Sequence, residues 1–126
     1  MPDTPMTIAD TADAPAWTPE RMVTRLGGDV TLARQLASLF IVECPRMLDQ
    51  VRESLRGTNA DNVRRAAHAF KGSVANFIDD GPAATAFELE CLGRDNRLEH
   101  APAVAARLER EVDALLVHLR RFAEGA

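Results

Sequence analysis

A chain of 126 residues suits one domain with one core and leaves no room for a separate catalytic domain around a large cofactor. Lys and Arg total 15 against 19 Asp and Glu, a net charge of −4, so no general basic field exists for nucleic acid to exploit. With 46% hydrophobic residues and no long apolar run, the composition excludes a disordered chain and a membrane-spanning one.

Met1 to Ala16 is rich in Pro, Asp, Thr and Ala and carries little that can form a core, so it is expected to be a flexible tail ahead of a domain at 17–126. No basic segment followed by an apolar one opens the chain, so no secretory signal is expected. The two cysteines, Cys44 and Cys91, form no metal-type pair and fall among apolar helical positions, which fits small buried hydrophobes in a reduced, cytoplasmic setting.

Order is expected to begin at Trp17-Thr18-Pro19-Glu20, where Thr18 suits an N-cap, Pro19 the first helical position and Glu20 the helix dipole. Gly27-Gly28 ends this short helix, and Asp29 caps a longer one. In the second helix Leu32, Leu36, Phe40, Cys44, Leu48, Val51 and Leu55 trace one stripe, with a kink or break expected near Ile41 because of Pro45. A third helix follows the turn at Gly57-Thr58-Asn59 and runs to about Ile78. Asp79-Asp80-Gly81-Pro82 is a tight link to a fourth, Pro82 to Arg97, with Phe87, Cys91 and Leu92 on its apolar side. A fifth begins near Ala101-Pro102, and its Val104, Leu108, Val112, Leu115, Leu119 and Phe122 form a packing seam. The expected fold is all-α: an antiparallel four-helix bundle with a short N-terminal capping helix.

The third helix carries the chemistry. Val63, Ala66, Ala67, Phe70, Val74 and Phe77 share one apolar arc, and His68 lies roughly 150° from its centre. Lys71 and Gly72 follow His68 at i+3 and i+4, the spacings of helix-surface neighbours. A nucleophilic imidazole thus gains a cation and an empty space beside it. Gly72 costs on the order of 1 kcal/mol relative to alanine in mid-helix, which implies that something must approach closely there.

Residues equally distant from Asp79 should lie level on the antiparallel third and fourth helices. This count sets His68 level with Glu90, Lys71 with Phe87 and Arg64 with Arg94. A Glu90 carboxylate accepting Nδ1–H would fix the imidazole tautomer and free the Nε2 lone pair. Lys71 would neutralise phosphoryl oxygens. Arg64, Arg65, Arg94 and Arg97 make a locally basic rim suited to an acidic partner, and Phe70 and Ala75 complete the expected partner contacts.

His68-Ala69-Phe70-Lys71-Gly72-Ser73 resembles the acceptor motif of the histidine phosphotransfer (HPt) domain family, His-x-hydrophobic-Lys-Gly-Ser/Thr. The resemblance extends over nearly everything after Trp17, including Arg25-Leu26-Gly27-Gly28-Asp29, the Phe40-to-Pro45 stretch, Ala75-Asn76-Phe77 and Leu89-Glu90-Cys91-Leu92-Gly93-Arg94. It implies a phosphorelay protein whose His68 is phosphorylated on Nε2 by the phospho-aspartate of a receiver domain and passes the group to another receiver. Partners would be receiver domains of response regulators and hybrid histidine kinases. Family members often carry Gln or Glu where Glu90 stands. Many relatives continue from the motif into a small Leu-Gly-Ala type turn, whereas this chain has Phe77-Ile78-Asp79-Asp80-Gly81-Pro82, which alters the hairpin.

A di-metal bundle would need Glu-x-x-His pairs on facing helices, and none is present. A kinase fragment would need a nucleotide loop, also missing. The remaining alternative is a helical interaction module without phosphoryl chemistry. The favoured reading is a monomeric phosphocarrier with no kinase activity, cofactor or metal of its own, Mg²⁺ being expected only in the receiver, and with no nucleic-acid or membrane partner. His100 and His118 are expected to be ordinary surface residues.

Overall fold

The computed structural model describes residues 17–125; the tail expected at 1–16 lies outside them. The described residues form helices α1 (Pro19–Arg25), α2 (Val30–Arg56), α3 (Ala60–Val74), α4 (Pro82–Arg94) and α5 (Ala101–Ala123), with one 3₁₀ turn at Leu98–His100 and no strand. α3 packs against α4 and α2, and α5 closes the ring against α2 and α4. The four long helices make the expected all-α bundle, and α1 covers it at the end of α5, where Trp17 packs on His118 and Phe122.

Local chemistry sets most of the boundaries. The Thr18 hydroxyl accepts from Arg21 N–H at 3.1 Å and the Asp29 carboxylate from Leu32 N–H at 2.9 Å, so both expected caps form. Gly27, at φ 79°, ends α1, and Gly28 N–H returns to the Val23 carbonyl at 2.8 Å. Asn96 does the same for α4. It takes φ 57°, Arg97 N–H bonds the Leu92 carbonyl at 2.9 Å, and the helix stops at Arg94 instead of reaching Arg97.

α3 also ends early, at Val74. The chain then turns through Ala75 to Phe77, which delivers both Phe77 and Ile78 into the core ahead of the hairpin. Arg25 clamps this hairpin to α1, donating to Asp79 Oδ1 at 2.6 Å and to the Ala75 carbonyl at 2.5 Å.

Pro45 does not break α2, which runs unbroken for 27 residues. Pro45 is exposed, while Phe40, Cys44, Met47, Leu48 and Val51 hold the inner side of the helix in one core. The N-terminal half of the α2 stripe is displaced from the expected one. Ala33 and Ala37 are fully buried, Leu32 is 39% exposed and Leu36 only half-buried. Ala33, Ala37, Phe40, Cys44, Met47 and Val51 follow one another at helical spacing, and the small alanines admit close neighbours.

Phe40 ties α2 to the α3 side of the core, its ring lying 6.1 Å from that of Phe70 and 5.1 Å from that of Phe77. The α5 seam is buried as expected, from Val104 through Phe122. α4 departs from expectation. Pro82, Ala83, Thr85, Ala86, Leu89 and Gly93 face inward, and Phe87 lies outside. The cause is the closeness of α3: a Cβ on Gly93 would stand 2.6 Å from the Arg64 backbone nitrogen and 2.8 Å from the Ala60 carbonyl oxygen. Cys44 is buried, and that burial, reinforced by the nearby Asp113 charge and only partly opposed by Arg120, pushes its thiol up to about 11, so it is an inert core residue.

Candidate functional site

α3 starts on Asn59, whose Oδ1 accepts from Asp61 N–H at 3.0 Å and Asn62 N–H at 3.3 Å. With that start, Val63, Ala67, Phe70 and Val74 fall inward and His68 falls on the outer face, its side chain 63% exposed. The close α3–α4 crossing at Gly93 brings the opposite helix within reach. His68 Nδ1 lies 3.0 Å from Glu90 Oε2, and Lys71 Nζ lies 2.8 Å from Glu90 Oε1. One carboxylate, only 15% exposed, therefore holds both residues. The ammonium of Lys71 also stands 4.9 Å from the centroid of the Phe87 ring.

Burial works to raise the Glu90 carboxyl, but the hydrogen bonds from Lys71 and His68, joined by their charges, outweigh it and hold the group below its ordinary value. Glu90 is thus an ionised acceptor. An ionised carboxylate can only accept, so the proton of the shared bond sits on Nδ1, and in the neutral ring Nε2 keeps its lone pair. This constellation is an oriented nitrogen nucleophile with a cation beside it. Around Gly72, an added Cβ would meet nothing within 4 Å. The space next to His68 is open.

Of the sequence-derived site residues, His68, Lys71, Gly72 and Glu90 are gathered here. The level pairs from the hairpin count are met twice, at His68–Glu90 and Lys71–Phe87. The basic rim is more compensated than its composition implies. Arg64 and Arg65 both donate to Asp61, at 2.8 and 2.7 Å, and together these bonds hold its exposed carboxyl below the usual range. Arg94 pairs with Asp95 at 3.4 Å and not with Glu90 one turn earlier, while Arg97 has no ion pair among the described residues. Ala75 is half-buried, with its carbonyl engaged by Arg25.

Phe70 is a correction: it is fully buried, so it anchors α3 in the core and offers no surface to a partner. Exposed apolar surface is found instead at Phe87 of α4, against Lys71, and on α2, where Leu36 and Leu39 line a groove with Met47, Ser73 and Asn76. Phe87 and Gly93 are the residues that sequence reasoning undervalued. The hairpin count, which sets Phe87 level with Lys71, carries the signal for the first of them.

No helix among the described residues is long and apolar enough to cross a membrane. A comparison with curated proteins gives no match. Among solved structures, the crystal structure of histidine-containing phosphotransfer protein B (HptB) from Pseudomonas aeruginosa PAO1 is similar in fold, with a TM-score of 0.80 at 23% sequence identity, covering 90% of this chain and 99% of that one. The family model of the Hpt domain matches residues 35–118. That span holds His68, Lys71 and Glu90 together with most of the bundle that positions them, and the chain belongs to the Hpt domain family, the histidine phosphotransfer proteins of phosphorelays.

Proposed function

We propose that His68 takes a phosphoryl group from the phospho-aspartate of one receiver domain and gives it to the aspartate of another. The observation that carries this reading is the 3.0 Å contact between Nδ1 and Glu90 on an otherwise exposed ring. It reserves Nε2 for phosphorus. As the Nε2–P bond forms, the aspartyl O–P bond breaks and its electron pair returns to the departing carboxylate. The ring becomes cationic with the proton still on Nδ1, where Glu90 offsets the charge. Lys71 neutralises the phosphoryl oxygens, and the open space at Gly72 admits them. Onward transfer is the reverse sequence with a second aspartate.

The partners in this reading are receiver domains of response regulators and hybrid histidine kinases, docked on the outer face of α3. Leu36 and Leu39 of α2 give apolar contact, with Arg64, Arg65, Arg94 and Arg97 on the rim. The chain acts as a cytoplasmic monomer in which residues 17–126 form the phosphotransfer domain, without nucleic acid, membrane or cofactor. Mg²⁺ is supplied in the receiver. Kinase activity is absent, so Mg-ATP alone leaves the protein unlabelled.

Incubation with a phosphorylated receiver tests the proposal. An acid-labile, base-stable adduct is expected on the wild-type chain and is lost completely in His68→Gln. Equal labelling of that variant would end the assignment, and self-labelling by Mg-ATP would replace the carrier by a kinase.

A further inference from the structure

Phe87 is a large apolar side chain left 49% exposed on a helix whose smaller Ala83 and Ala86 take the core. It lies three residues before Glu90, so the two share one face of α4, and both meet Lys71: the ring centroid at 4.9 Å from Nζ, the carboxylate at 2.8 Å. The ammonium is thus held from two sides. Building on the proposed role of His68, we infer that Phe87 is a positioning residue that keeps the Lys71 ammonium beside the imidazole as it passes from Glu90 to the phosphoryl oxygens.

A ring does at position 87 what a second carboxylate cannot. The face of an aromatic ring attracts a cation through its quadrupole while carrying no net charge. A carboxylate at position 87 would also hold Lys71, but it would neutralise the ammonium and repel an arriving phosphoryl group. The attraction to a ring face is also broad in direction. Lys71 can therefore turn away from Glu90 without leaving Phe87, and its long flexible stem needs such a restraint to act at one place.

The test combines kinetics with a spectroscopic reading. Phe87→Leu keeps apolar volume but removes the ring face, and Phe87→Tyr keeps both. Transfer from a phosphorylated receiver should slow about two- to fivefold in Phe87→Leu and stay near wild type in Phe87→Tyr. In a Lys71→Ala background, Phe87→Leu should bring no further loss, because its effect runs through the lysine. In NMR spectra, the Lys71 ε-methylene protons should show a ring-current shift that disappears in Phe87→Leu and persists in Phe87→Tyr. An equal slowing with and without Lys71, unchanged transfer in Phe87→Leu, or Lys71 signals indifferent to the leucine substitution would overturn the inference. If no variant accepted label on His68, the proposed function would fall by itself, while the NMR shifts would still decide whether Phe87 holds Lys71.

Discussion

Gly72 and Gly93 lie on the two helices of one hairpin, each inside regular helix, and their surroundings are opposite. An added Cβ at Gly93 would meet the α3 backbone at 2.6 Å, whereas at Gly72 it would meet nothing within 4 Å. Both positions fall in the last turn of their helices and forgo some helix propensity, up to about 1 kcal/mol each. The inner glycine lets α4 approach α3 closely enough for Glu90 to reach His68 and Lys71 across the seam. The outer one leaves room for a molecule that is not part of the fold. A helical glycine therefore speaks for a partner only when its empty space faces solvent, and for packing when that space is filled by a neighbouring backbone.

The sharpest way to break this contrast is Gly93→Ala. Its methyl would press on backbone atoms that cannot rotate aside, so a loss of about 1–3 kcal/mol is expected despite better propensity. Separating α3 from α4 should also weaken the His68–Glu90 contact and slow phosphotransfer. A thermal melt equal to that of wild type would show that the crossing yields easily.

Gly72→Ala should move stability the other way, by up to about 1 kcal/mol, since its methyl meets no neighbour and the unfolded chain loses freedom. Gly72→Gln should fold equally well but slow acceptance from the receiver. Undiminished transfer in the glutamine variant would remove the functional reason for this glycine.

A smaller effect sharpens the role of the carboxylate that the inner glycine brings into place. Glu90 titrates below its ordinary value of 4.5 in the folded chain, so its contribution to stability is present above that value and is lost as pH falls through the lower, folded one. Melts of wild type and Glu90→Gln at successive pH values from 5 downward should show the wild type losing more. Parallel curves would mean that Lys71 and His68 give the ionised form no net advantage.

The fold was legible wherever the signal is local. Thr18 and Asp29 cap helices because a side-chain oxygen reaches its own neighbouring N–H groups, and no distant residue is needed. The α5 seam was legible because six large apolar residues at helical spacing have one way to be buried together. The α2 stripe was not. Leu32 and Leu36 outweigh Ala33 and Ala37 in hydrophobicity, but the distance to the neighbouring helices selects the smaller pair. Likewise, burial of the α4 face depends on how close α3 stands, which Gly93 permits without announcing it.

The site divides along the same line. The spacing of His68, Lys71 and Gly72 on one outward face follows from helix geometry alone, and a short antiparallel link was enough to bring Glu90 level with the histidine. Sequence by itself therefore determined which residues can meet, because periodicity and loop length are properties of the chain. Tertiary structure decided what they do on meeting: one carboxylate shared between His68 and Lys71, Phe87 under the ammonium, Asp61 absorbing two arginines, and Phe70 withdrawn into the core. Those outcomes turn on differences of a few tenths of an ångström in how far apart the helices stand, and these are set by the packing of all their side chains at once.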